Sequence, residues 1–278
     1  MDFRKTEIFF VVAFLILDIF LFVTLKTKQN VTYDAVKENT TIVEQMKEDK
    51  ISIPDNLPSG VEKATYIKAE KMEFTKDIAK ELSNEDQYVV SQADGSLYST
   101  VQKQILLTDE GTTKELTNFV HEKAYKGAEY RFFKRDNQNK KIVYVQEYKG
   151  IPILDGTAEV MISLKENSVD SASQVLSYEQ TYANKVTYLR DGELLVSAQQ
   201  AIEILYKNDE LPADSTITKV DLGYMRMLHL QNSDVYIPAW FVTVEKNDIS
   251  EQKMVNAIEG KVIQPQKTNE EVEVNSSN

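Results

Sequence analysis

Cysteine is absent from the 278 residues. That removes disulfides, thiolate metal sites and cysteine nucleophiles together, and it leaves the redox compartment open. Histidine is scarce: His121 and His229 are the whole supply, too little material for a histidine-based active site or a metal pair. The sequence also lacks G-x-S-x-G, H-E-x-x-H, the P-loop and G-x-G-x-x-G. No spacing among the acidic residues singles out a carboxylate pair. The expectation is a protein that is not an enzyme and uses no cofactor. Basic residues are the minority, 32 against 44 acidic ones, for a net charge of −12. Such a chain repels phosphate backbones, so no nucleic-acid partner is expected. What is present is an ordinary globular balance, 42% hydrophobic and 27% charged, which excludes wholesale disorder. At roughly 100–200 residues per domain, the length allows one or two domains.

One long hydrophobic run stands out. Ile8 to Leu25 is apolar except for Asp18 and Thr24. At about 1.5 Å rise per residue it spans roughly 27 Å, near the thickness of a bilayer's hydrocarbon core. A cleaved signal peptide needs a shorter run and a small-residue cleavage site, which the Lys-Thr-Lys-Gln-Asn after Leu25 does not offer. A buried core helix is seldom apolar on every side for five turns. A transmembrane helix over residues 8–25 fits best. Arg4 and Lys5 on one side balance Lys26 and Lys28 on the other, so charge alone does not orient it. Residues 1–7 are expected in the cytoplasm and the long remainder outside, because a short N-terminus stays behind easily.

A carboxylate at mid-helix costs about 2.5–3.5 kcal/mol on insertion. Two readings of Asp18 stand. It is protonated or hydrated and has no role, or it meets another membrane helix. Val11, Phe14, Asp18, Leu21 and Leu25 follow a 3-4-3-4 spacing along one stripe. A polar group in that stripe can hydrogen-bond to a neighbour, a contact worth about 0.6–2 kcal/mol. The small-xxx-small pattern of tight self-dimers is missing, which favours a different helix as the partner.

Residues 26–60 read as a stalk, with Tyr33, Val36, Val43 and Met46 at helical spacing before Pro54 and Pro58. The stalk either transmits a shift or pairs with a neighbour, or it is a solvated spacer. Beyond it, two helices are signalled. Thr112 to Glu115 is a capping box followed by the stripe Leu116, Phe119, Val120 and Ala124, with Gly127 as the stop. Ser197 to Gln200 repeats the device before Ala201, Ile202 and Leu205. His121 reads as a boundary residue and Trp240 as core. Alternating segments fill the rest, including Tyr88–Val90 and Leu97–Tyr98 around an Asp94-Gly95 turn, and Leu222–Leu230 before Val235–Glu245. Sequential hairpins with few helices predict α+β, antiparallel sheets with helices packed on one face. The division expected is a first α+β subdomain over 61–128, a second over 129–264, and a disordered polar tail over 265–278.

The order of these features resembles the YycI (WalI) family. Met1 to Thr6 leads into Phe14 to Leu21, where that family commonly carries Asn at the place of Asp18. Thr41 to Asp49, Leu57-Pro58, Ser177 to Tyr182, the helix Leu195–Tyr206, Ile237 to Trp240 and Val255 to Gly260 are similar as well. The resemblance implies a single-pass membrane protein with a YycH-like outer domain. It implies an accessory regulator of a sensor histidine kinase (YycG/WalK-like) that controls cell-wall metabolism, with a YycH-like protein and membrane lipid as further partners. Carried over, the partner-binding positions in the membrane are Phe14, Asp18, Leu21 and Phe22. A second likeness pulls elsewhere. Gln146 to Ile153 followed by Gly156, the helix at Ser197 and the hairpin Val255–Ile263 are similar to PepSY and propeptide modules of secreted proteases. The alternative it implies is an extracellular module that binds or inhibits a protease.

Overall fold

Residues 216–229 and 233–246 are two strand-forming runs with only a short turn between them, the second apolar at every position from 235 to 242. Their pairing is the longest ladder among the described residues. The computed structural model describes residues 13–22, 42–107, 114–136, 138–166 and 173–264. In it, β13 (Thr216–His229) and β14 (Ser233–Lys246) run antiparallel from Thr216↔Glu245 to His229↔Asp234. The other edge of β14 is shared. β15 (Ile249–Asn256) takes Ala239 to Lys246, and β2 (Ile67–Lys71) takes Ser233 to Tyr236. Pro238, which has no amide hydrogen to give a ladder, falls in the gap between those two partners. β11 (Ala183–Tyr188) and β16 (Lys261–Ile263) complete a six-stranded sheet.

A second sheet has eight strands. Its path runs from β3 (Gln87–Ser91) and β4 (Leu97–Val101) to β10 (Ser173–Gln180) and β9 (Glu159–Glu166). It ends on β7 (Lys141–Tyr148) and β6 (Tyr130–Asp136). The short β5 (Leu106–Leu107) pairs with β10, and β8 (Ile151–Pro152) with β7. A two-stranded ladder joins β1 (Lys63–Ala64) to β12 (Glu193–Leu194). Every pairing between named strands is antiparallel, and helices are few, so the chain is mixed α+β as expected. The expected division at 128/129 runs through the eight-stranded sheet, because β3 and β4 pair beside β10. Likewise β2, from before that division, lies in the six-stranded sheet. Period-two patterning fixes which face a residue takes, but not which distant strand lies alongside.

Each sheet carries helices over a core. Against the eight-stranded sheet lie α2 (Lys76–Leu82) and α3 (Lys114–Lys123), which bury Ala79, Leu116, Phe119 and Val120 with Leu97, Ile142, Tyr144 and Ile162. The expected stripe of α3 is present, while its expected cap at 112–113 lies outside the described residues. At the exit of α3, a Cβ on Gly127 would stand 2.0 Å from the Val120 carbonyl oxygen, so only glycine lets the chain pass that close. α2 has no counterpart among the expected helices. Its stripe is only Ile78, Ala79 and Leu82, too short for periodicity to show. Against the six-stranded sheet lies α4 (Ala198–Lys207), with the Ser197–Gln200 capping box made in both directions. It buries Ala201, Ile202 and Leu205 on Val242, Val255 and Trp240. Trp240 is core, and its indole donates to the Val196 carbonyl at 2.8 Å.

The two sheets are joined by apolar packing and by polar contacts. Ile151, Ile153, Tyr224, Tyr236, Ala183 and Ile67 form a shared cluster. Leu154 donates its amide to the Tyr224 carbonyl at 3.0 Å. Its side chain lies over Gly223, where a Cβ would meet it at 2.5 Å. Gln146 grips Ala183 in both directions, accepting from its amide at 2.9 Å and donating to its carbonyl at 3.0 Å.

Candidate functional site: an exposed helix and a docked one

Residues 13–22 are helical, and every described side chain on them is exposed. Phe14, Leu21 and Phe22 are 63%, 55% and 61% exposed. With about 100° of turn per residue, Phe14, Asp18, Leu21 and Phe22 fall within an arc of about 100°. The structure therefore places all four sequence-derived positions on one side of one helix, as a carboxylate framed by large apolar side chains. Val11 and Leu25, the ends of the expected stripe, lie outside the described residues, as do both ends of the expected span 8–25. Among the described residues no helix is long and apolar enough to cross a membrane.

The chain is described again from residue 42, and there it is already part of the folded domain. Helix α1 (42–48) buries Ile42 and Met46, and the following Ile51 is buried too, all against Ala198, Ile202, Leu205 and Ile217. Met46 has no exposed surface. The helix stops where Lys50 turns left-handed (φ 56°) and Ile51 donates back to the Met46 carbonyl at 2.8 Å. That is the bond pattern by which helix ends satisfy their last carbonyls. The next residues are stitched to β13. Ser52 donates to the Ser215 carbonyl at 3.0 Å, Ile217 donates to Ser52 at 2.8 Å, and Asp214 donates to Asp49 at 2.8 Å. Tyr206 of α4 donates to the Asp49 carboxylate at 2.7 Å, which raises the Tyr206 phenol above its ordinary value. Lys50 and Asp214 pair at 3.1 Å on the surface, a contact worth little by itself. Residues 42–53 are thus core and ladder, which the solvated-spacer reading of the stalk does not provide for. Met46 and Val43 carried the signal; their period was visible, but their burial partners were not.

Where the sheets meet, Asp155 is half-buried. Its carboxylate accepts from the Arg226 amide at 2.6 Å and from the Thr157 amide and hydroxyl at 3.1 and 2.5 Å. Burial nevertheless pushes its pKa up, against those hydrogen bonds. Asp234, 5% exposed, holds His229 at 2.6 Å and Arg226 at 3.7 Å. His229 therefore has a structural partner. His121 sits exposed on α3 with its Nε2 3.0 Å from the Tyr130 carbonyl oxygen. Among the described residues no group of three or more histidine and acidic side chains is placed to hold a metal ion.

Against known proteins, a family model described as "YycI protein" matches residues 29–258. No curated protein matches the chain. Among solved structures, an uncharacterized protein from Eubacterium rectale is similar at 14% identity and TM-score 0.44, over 78% of this chain and 90% of that one. The C-terminal domain of YpeB from Bacillus megaterium is similar at 15% identity and TM-score 0.36, over 69% of this chain and 96% of that one. Both scores are too low to establish a shared fold.

Proposed function

Because the chain belongs to the YycI family, we propose that it is a membrane-anchored accessory regulator of a cell-wall-controlling sensor histidine kinase of the YycFG system. The family is one of regulatory accessory proteins, not a known enzyme family. In this reading residues 8–25 cross the membrane once, with the N-terminus in the cytoplasm and the outer domain outside the cell. The helix works by contact with the kinase and with a YycH-like partner. The observation that carries the reading is Asp18 framed by Phe14, Leu21 and Phe22 on one exposed helical face. In lipid an unpaired carboxyl is costly, so a partner helix that offers a donor is preferred over lipid.

The mechanism is a shift of populations. A helix that contacts one kinase state better than another biases it by the difference in contact free energy, and about 1–2 kcal/mol changes signalling about five- to thirty-fold. The packing of 42–53 on the core under the six-stranded sheet supports the reading that the folded domain holds the chain from residue 42 onward in place. The test is an in-cell photo-crosslink from position 18 or 22, with the captured protein identified by mass, alongside Asp18→Leu. The expected result is capture of the kinase, and its weakening in the variant. Replacing residues 8–25 by an unrelated apolar helix should abolish regulation. If the outer fragment alone exerts the full effect, the helix account fails and the protease-binding module, whose action needs no membrane helix, takes its place.

A further inference from the structure

A groove of about 400 Å³ opens where the β1–β12 ladder, the β7–β8 hairpin, the end of β11 and β13 come together. That volume is within the range of small-molecule pockets, roughly 300–1,000 Å³. Tyr148, Tyr188 and Tyr224 line it together with Lys63, Lys149 and Arg190.

Tyr224 is 2% exposed as a residue; its hydroxyl keeps contact with solvent at the groove, and among the described residues it has no hydrogen-bond partner. The other deeply buried phenols are all satisfied. Tyr130 donates to Thr181 at 2.5 Å, Tyr178 to Gln87 at 3.0 Å, and Tyr144 and Tyr236 meet Thr117 and Thr157 at 2.9 Å each. With its ring packed in the fold and its unpaired hydroxyl opening on the groove, Tyr224 offers a fixed donor to a ligand from outside the chain.

The charge of the lining points to what that is. The chain as a whole carries −12, but the groove presents Lys63, Lys149 and Arg190 against Asp191 alone. Arg190 is engaged, with Nε 2.8 Å from Glu193 and its guanidinium 4.0 Å over the Tyr66 ring. Among the described residues Lys63 and Lys149 have no carboxylate partner. Lys149 lies 4.2 Å over the Tyr188 ring. Val61, Ile151 and the edge-to-face pair Tyr148–Tyr188, 5.7 Å between centroids, supply an apolar wall.

We propose that this groove binds a small carboxylate with a flat apolar body. The Tyr224 hydroxyl donates to the carboxylate, Lys149 and Lys63 supply the opposing charge, and the ring rests on the apolar wall. A hydrogen bond to an ionised acceptor is the stronger kind, which distinguishes a carboxylate from its amide. The site does not depend on the membrane-helix reading.

The test uses the full chain in lipid nanodiscs and ligand-observed NMR, with phenylacetate as probe and phenylacetamide as its neutral control. Phenylacetate is expected to bind saturably, and the amide roughly tenfold more weakly or worse. Tyr224→Phe and Lys149→Gln should each weaken phenylacetate roughly tenfold. Tyr224→Phe should not lower the melting temperature, since its hydroxyl holds nothing in the fold. The proposal is overturned by any of four results: no saturable binding, equal binding of acid and amide, unaltered binding in both variants, or a melting temperature that falls in Tyr224→Phe.

Discussion

The two sheet units hold themselves together differently. The eight-stranded unit is aromatic and laced with buried polar groups. Gln87 has no exposed surface. It donates to the Leu82 and Lys123 carbonyls and accepts from Ser99 and from Tyr178, whose phenol is pushed up to about 12, chiefly by burial. Gln180, equally buried, exchanges two bonds with the backbone of Tyr125, at 2.9 and 2.7 Å. The six-stranded unit is mainly aliphatic, with Trp240 and its single indole bond as the largest buried group. Glutamine side chains that mimic strand amides tie loops to one position, because misplacing them strands buried donors and acceptors. Aliphatic packing tolerates a visitor more readily, and it is the aliphatic core that takes in α1. The chain leading from the exposed helix thus docks on the unit built to accept apolar side chains.

The largest expected effect tests that docking. Met46→Ala should destabilise the protein by about 2–5 kcal/mol, as for any large buried side chain, read by chemical denaturation. A loss near the surface-mutation level of about 0.5 kcal/mol would return α1 to the role of a spacer. Next, Gln180→Leu keeps the volume but leaves the Tyr125 amide and carbonyl unpaired. The expected cost is about 1–3 kcal/mol, and a neutral or stabilising outcome would erase the contrast between the two cores. The smallest effect concerns the seam between the units. Burial holds Asp155 protonated to higher pH in the folded state than in the unfolded chain. Its contribution to stability is therefore complete below the ordinary aspartate pKa and is lost as the pH rises through the raised folded value. Glu159 is pushed the same way, first by burial and then with Asp155 and Glu179 adding to it against Lys134 and Lys141. The reading is thus the difference between wild type and Asp155→Asn across the acidic range. A slope unchanged in the variant removes Asp155 from the account.

Much of the local structure was legible in the sequence. The Ser197 box, the α3 stripe and the Asp94-Gly95 hairpin are each written within a dozen residues, and each forms as read. Gly95 takes the positive φ of 85° that the turn requires, and Asp94 accepts from the Ser96 amide at 2.9 Å. The partners of β2 and β11 were not legible, nor were the two-residue strands β1, β5, β8 and β12, which have too few residues to alternate. The groove was hidden for another reason. Lys63, Tyr148, Tyr188 and Tyr224 lie far apart along the chain and are ordinary residues one at a time. Only the missing hydrogen bond at Tyr224 marks them, and that is a property of packing.

By itself the sequence determined the class, the family, the lack of recognisable catalytic motifs and the helical stripe with one carboxyl in it. These follow from composition and from periodicities that span a few turns. The tertiary structure alone decided that the strands sort into two sheets across the expected division, that Met46 belongs to a core, and that an unpaired phenol faces a groove. Local patterns say which side of an element is apolar; what covers it is settled by chain closure over long separations, where many arrangements satisfy the same pattern.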